Sequence, residues 1–280
     1  MVAAAWLLTV VLVGAAAFAC ADATPVARML AIVSALFLGM KAVVLAAARA
    51  EGRPPLRRSR LLLFAVWFGM NPAPFTRDRA RARAPERGPD RGPDRGTVRA
   101  LLWRGLRNVA AGAVLVCVAR AIGATWAAPL LMVGLSLGVH FGLLTWLATG
   151  LRARGLPVPV LFDAPFRART LAEFWARRWN RGFAEMTALC IQRPLQRRFG
   201  RATALLGAFL ASGLLHELAI SLPVRAGYGG PSCYFALHGV LTVWRGDRPG
   251  RAFVLAAVVL PLPLVFHPWF VRGVVVPLLG

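Results

Sequence analysis

Apolar stretches of about twenty residues alternate along this chain with short arginine-rich segments. A helix needs roughly 20 apolar residues to cross ~30 Å of hydrocarbon. The pattern predicts helices over Val2–Ala21, Val26–Ala48, Arg107–Ile122, Trp126–Leu151, Arg201–Leu222, Pro231–Trp244 and Ala252–Val276. The runs lack the short alternating segments of a β-barrel. The expected fold is an all-α, polytopic membrane bundle of about seven spanning helices, forming one domain over residues 1–280. Pro261, Pro263 and Pro268 should break the last span into pieces. Leu61–Met70 is too short to cross alone and reads as a re-entrant or interfacial segment.

Charge fixes an expected orientation. The net charge is +23, nearly all from arginine. So basic a chain raises nucleic-acid binding, but the arginines cluster between apolar runs, where basic loops remain cytoplasmic and meet anionic headgroups. Arg49–Arg60, Arg77–Arg107, Arg152–Arg201 and Arg245–Arg251 are basic, whereas the alternate connections carry one arginine, Arg225. The N-terminus and basic loops are therefore expected in the cytoplasm. Arg28, Arg120 and Arg272 lie near the outer helix ends and run against this asymmetry. Lys41 is the sole lysine, and this arginine-heavy composition points to a GC-rich bacterial genome and a bacterial inner membrane. Val2–Ala21 lacks the positive n-region of a signal peptide and reads as the first membrane helix. Residues 76–98 contain the tandem RGPDRGPDRG and are expected to be a disordered cytoplasmic loop.

Two places stand out chemically. The run Leu205–Pro223 is apolar except for a few positions, among them His216 and Glu217. Ionisable groups in a span are costly and mark functional sites. The second place is Phe162–Asn180, FDAPFRARTLAEFWARRWN. Thr170 with Glu173 has capping-box spacing, so a helix should start there. Leu171, Phe174, Trp175, Trp179, Phe183 and Met186 then fall on one helical face, predicting an amphipathic helix in the interface plane. Asn180 would project away from that face, toward protein or water.

Phe162–Asn180, followed by SGLLHEL at Ser212–Leu218, resembles the membrane-bound O-acyltransferase superfamily, most of all its wax-synthase-type branch. In that branch a segment like S-L-x-E-F-W-G-R-R-W-N precedes an intramembrane S-G-x-x-H-E. FGMNPAPF (Phe68–Phe75) and YFALHGVLTVW (Tyr234–Trp244) are similar to two further segments of the branch, in the same order. Ala176, Asn71 and Thr170 depart from the usual Gly, Asp and Ser. By matching position, the resemblance implies that Asn180 and His216 are the functional pair of an acyltransferase.

Acyl transfer from a thioester to a hydroxyl needs a base near the alcohol and a donor for the oxyanion. A neutral imidazole at His216 suits the first task, since burial disfavours the imidazolium. The Asn180 amide suits the second, or the positioning of the acceptor. Glu217 lies about 100° round the helix from His216 and reads as pairing with an arginine or another helix, structurally or catalytically. Ser212, one turn before His216, would orient its ring by a hydrogen bond. Arg177, Arg178 and Arg181 beside Asn180 would hold coenzyme A phosphates, or else meet lipid headgroups. Trp175, Trp179 and His238 complete the expected lining. His140, His238 and His267 otherwise read as satisfied polar residues between helices, with Gly134 and Gly138 near His140 as a small-residue packing pattern.

No metal site or cofactor is expected: His216 and Glu217 do not open an HExxH, and the four cysteines, Cys20, Cys117, Cys190 and Cys233, are scattered. The expected donor is acyl-CoA or an acyl carrier protein, and the acceptor a lipophilic alcohol within the bilayer. A prenyltransferase would need fixed aspartates for magnesium, but Asp90 and Asp94 lie in the Pro/Gly tandem. A serine hydrolase would need G-x-S-x-G, which the residues around Ser212 do not form. A transporter would show internal repeats. Beside an enzyme that forms a wax ester or similar ester, an acyltransferase acting on a secondary-metabolite or sterol hydroxyl stays open, as does a non-catalytic membrane scaffold or degenerate family member.

Overall fold

The computed structural model describes residues 1–76, 95–248 and 250–280. The described residues form helices and connections without strands. In chain order they are α1 (Val2–Ala19), α2 (Pro25–Ala50), α3 (Arg58–Val66), α4 (Arg95–Ile122) and α5 (Thr125–Ala153). Then come a short α6 (Leu171–Glu173), α7 (Arg181–Val224), α8 (Gly230–Arg245), α9 (Arg251–Val265) and α10 (Pro268–Leu278).

Among the described residues five of these, α1, α2, α4, α5 and α7, are long and apolar enough to cross a membrane; α9 and α10, bent by 65°, reach that length only together, as a broken span or a re-entrant loop. The chain is a multi-pass membrane protein. The remaining predicted span is α8, whose 16 residues reach only about 24 Å. The bend between α9 and α10 falls at His267–Pro268, where proline was expected to break the helix. Of the expected loop, residues 77–94 lie outside the described residues. Residues 95–98 open α4, which starts twelve positions before the predicted Arg107.

Packing follows small residues and capped ends. Thr24 caps α2, its hydroxyl accepting from Ala27 N, with Pro25 at the first helical position. Helices α4 and α5 meet at glycines: a Cβ on Gly112 would sit 2.6 Å from both Gly134 O and Gly138 N. This is the small-residue contact expected near His140. The outer arginines also find their use here. Arg28 is buried and donates to the carbonyls of Cys20, Ala21, Ala23 and Pro223 at 2.6–3.2 Å. Arg120 donates to Leu278 O and Arg225 to Ala21 O. Three arginines at that end of the bundle thus cap helix termini whose carbonyls have no helical partner.

The expected re-entrant segment is α3 and its exit turn. Phe64 and Trp67 are each 1% exposed, packed with Phe75, Leu144 and Leu156. A nine-residue helix does not cross.

Candidate functional site

Thr170 starts α6 as expected. Its hydroxyl accepts from Glu173 N at 3.0 Å, and the Glu173 carboxylate accepts from Arg169 N at 2.7 Å. The single amphipathic helix predicted beyond it does not form. After α6 the backbone makes a wide π-turn over Phe174–Arg178, Trp179 is extended, and Asn180 is left-handed at φ 44°. Two backbone bonds hold this break: Asp163 N donates to Arg178 O and Arg181 N to Leu161 O. The two carbonyls accept within the segment 161–181 rather than along a helix.

The interfacial reading is also corrected, because the apolar side chains pack inside the bundle. Leu171 and Phe174 are buried. Trp179 stacks on Phe174 at 5.8 Å and meets Phe162 edge-on at 5.2 Å. Trp175 lies 5.4 Å from Phe235, 5.2 Å from His238 and 6.2 Å from Phe209. Offset and edge contacts with rings from other segments outcompete the bilayer for these faces.

Asn180 has a structural task that the sequence did not foretell. It is the N-cap of α7, its Oδ1 accepting from Phe183 N at 3.3 Å. Asparagine tolerates the left-handed conformation better than most residues. Because the cap uses Oδ1, the Nδ2 amine keeps its donors for another acceptor.

Helix α7 then carries the chain to His216. Thirty-three residues of straight helix would hold Phe183 and His216 ~50 Å apart. Gly200, at φ 80° and ψ 174°, breaks the run, and an added Cβ on Gly207 would meet Leu195. The two arms lie side by side, and the Phe183 and His216 rings come within 5.8 Å, edge to face. On its other side the imidazole tilts against Phe235 at 4.3 Å. Phe183 therefore touches both: its backbone N–H is held by the Asn180 cap and its ring lies against His216.

His216 Nδ1 lies 2.7 Å from the carbonyl of Ser212. A carbonyl can only accept, so Nδ1 carries the hydrogen and Nε2 of the neutral ring keeps its lone pair. Ser212 does orient His216, but through its backbone; its hydroxyl donates to Ala208 O. Glu217 pairs with another helix: one carboxylate oxygen accepts from Gly229 N at 2.9 Å and Ser232 N at 3.0 Å, the first turn of α8.

The remaining histidines sit between helices. His238 is fully buried, with Nδ1 2.9 Å from Tyr234 O. His267 accepts from Phe270 N through Nδ1, so its Nε2 hydrogen faces Ser221 Oγ at 3.3 Å. His140 faces Ser136 Oγ at 3.2 Å and stacks near Phe162.

The three arginines beside Asn180 part ways. Arg178 is tied to Glu173 at 2.6 Å and to Asp163 O at 3.3 Å. The Arg169 backbone N–H, and after it Arg178, hold the Glu173 carboxyl below its usual value. Arg177 is exposed. Arg181 lies within charge range of Arg152, beside Arg104 and Asp163, which pair at 2.9 Å. Three guanidinium groups there face one carboxylate. Among the described residues no three His, Cys, Asp or Glu side chains gather as a metal site would require.

Comparison with known proteins falls on this region. Residues 158–237 match the model of the "Membrane bound O-acyl transferase family", as the resemblance of the motifs implied. A "Probable long-chain-alcohol O-fatty-acyltransferase 1" of Arabidopsis thaliana is 31% identical over 41% of this chain and 38% of its own. The "Long-chain-alcohol O-fatty-acyltransferase" of Simmondsia chinensis is 36% identical over 31% of this chain and 28% of its own. The matched stretch thus spans well under half of each relative.

Proposed function

We propose that this chain, which resembles membrane-bound O-acyltransferases over the segment bearing Asn180 and His216, transfers a fatty acyl group from acyl-CoA to the hydroxyl of a long-chain alcohol. His216 Nε2 takes the hydroxyl proton as the alcohol oxygen attacks the thioester carbonyl. Asn180 Nδ2 donates to the oxygen that gains charge. The tetrahedral intermediate collapses, the C–S bond breaks, and the imidazolium returns its proton to the thiolate. The products are an ester and the free thiol. Glu217 takes no part; it holds the start of α8, which supplies Phe235 behind the imidazole.

The observation that supports this reading is that Phe183 links the two residues, its N–H on Asn180 Oδ1 and its ring on the imidazole whose Nδ1 is held by Ser212 O. The names of the relatives favour a long-chain alcohol as acceptor. Arg104, Arg152 and Arg181 favour coenzyme A over a carrier protein, since they gather cationic charge for phosphates beside Asn180. Arg177 can join them; Arg178 is paired with Glu173, as Arg104 is with Asp163, which among the described residues leaves Arg152 and Arg181 of the three without a carboxylate ion pair of their own. The arginine-rich ends are assigned to the cytoplasm, and the arginine-heavy composition to a bacterial inner membrane.

The test is direct. Membranes bearing the wild-type chain are supplied with labelled acyl-CoA and a panel of alcohols, and ester is measured against His216→Ala. Ester from the wild type alone supports the enzyme. Absence of transfer to every acceptor overturns the acyltransferase reading in favour of a scaffold.

A further inference from the structure

The only lysine in the chain, Lys41, lies in the middle of α2, and its side chain is buried with the residue 5% exposed. Its ammonium donates to three carbonyls of one segment: Phe64 O at 2.8 Å, Trp67 O at 2.6 Å and Gly69 O at 2.6 Å. It also sits 3.7 Å above the Phe64 ring. An ammonium has three donors, and all three are used. The carbonyls belong to the last turn of α3 and its exit, where the helix leaves them without partners and its dipole favours a cation.

The segment so held runs from Phe64 into the start of FGMNPAPF at Gly69, which the acyl-transfer steps do not use. Its Gly69 lies directly against the turn that carries Asn180. A Cβ on Gly182 would stand 2.8 Å from Gly69 Cα, 3.0 Å from Phe68 O and 3.3 Å from Met70 N. The two backbones touch with no side chain between them, so a shift of the 67–70 turn transmits to Gly182. Asn180 is two residues away, and its cap bond ends on Phe183.

We propose that Lys41 is a positioning residue for Asn180. By drawing three carbonyls onto one ammonium, it sets the height of the 67–70 turn, on which Gly182 and therefore the Asn180 amide rest. Three oriented carbonyl dipoles offset the cost of placing this group in an apolar span. This role rests on the acyltransferase reading for its catalytic consequence, though not for its structural one.

Two measurements test it. In acyl transfer, Lys41→Met should lower kcat by about tenfold to a hundredfold, the cost of displacing a positioned group, with KM for acyl-CoA little changed. In an Asn180→Ala background the same substitution should cost less than about twofold, because effects that act through one group are not additive. Equal losses in both backgrounds would mean a general structural defect and overturn the proposal.

The second readout is independent of activity. Hydrogen exchange of the peptide spanning Arg181–Phe183, in lipid nanodiscs, should be faster in Lys41→Met than in wild type. Peptides of α9 should stay unchanged. Unaltered exchange at Arg181–Phe183 overturns the proposal even if the wild type transfers no acyl group.

Discussion

Phe183 and His216 lie ring to ring at 5.8 Å although 33 positions separate them along α7. The contact exists because Gly200 adopts a conformation with positive φ that helical residues avoid. Through it, the residue whose amide is capped by Asn180 also leans on the imidazole. The two polar groups of the proposed reaction thus depend on one aromatic spacer.

His216 should be the residue whose loss is least tolerated by transfer. His216→Ala is expected to reduce ester formation by roughly a hundredfold to ten-thousandfold, the usual contribution of a positioned base. Steady-state rates at saturating acyl-CoA measure this.

The observed cap and the proposed donor role of Asn180 are separated by one substitution. Asn180→Asp keeps an oxygen for Phe183 N but offers no N–H. It should leave the thermal midpoint near that of wild type while cutting kcat by about a hundredfold or more. Asn180→Ala should lower both, because the cap contributes about 1 kcal/mol. A fully active Asn180→Asp would assign Asn180 to capping alone.

Glu217 should prove structural. Glu217→Leu strips Gly229 N and Ser232 N of their acceptor, at about 1–3 kcal/mol for unsatisfied donors. Glu217→Gln retains an acceptor and should be milder. Thermal unfolding in detergent ranks the two, and the rate per folded molecule should stay near wild type in Glu217→Gln.

Gly213 forms the contact between α7 and α8 behind the imidazole. A Cβ there would stand 2.8 Å from Ser232 Cα. Gly213→Ala must push the helices apart, with destabilisation of about 1–3 kcal/mol, read as a lower midpoint and lower yield.

Glu173 sets an acid limit on the Asn180 segment. Its carboxyl titrates below the ordinary 4.5, held first by Arg169 N–H and then by Arg178. A depressed value means that the stabilisation is complete above the unfolded value and is lost as pH falls through the folded one. The midpoint difference between wild type and Glu173→Gln should therefore be constant at neutral pH and shrink below about pH 4.5. A difference that grows on acidification would refute the assignment.

Much of this arrangement was legible beforehand, and what was not has a common origin. Most spans were placed by hydropathy, because hydrocarbon thickness sets their minimum length, although α4 starts twelve positions early and α8 is too short. Thr170 announced a helix start through the spacing of its cap. The break at Asn180 was hidden, since Leu171 to Met186 keep helical spacing across it. Only backbone bonds to Leu161 and Asp163, distant in sequence, interrupt the helix. The burial of Trp175 and Trp179 depended likewise on rings from other segments. Phe183 looked like one more apolar position until Gly200 folded α7 back. Lys41 could have been noticed: a lone ammonium in an apolar run requires a partner, although the sequence does not say which carbonyls supply it.

The π-turn at Glu217–Ser221 immediately follows His216. Such a turn accommodates one residue more than an ordinary helix would. Removing a single residue there would let the backbone close into regular helix while swinging everything beyond it by about 100°. His216 would keep its carbonyl at Ser212, but Ser221 would rotate away from His267 and Arg28 would lose the Pro223 carbonyl. The length of this segment, more than its composition, therefore ties His216 to the helix ends around Arg28 and His267.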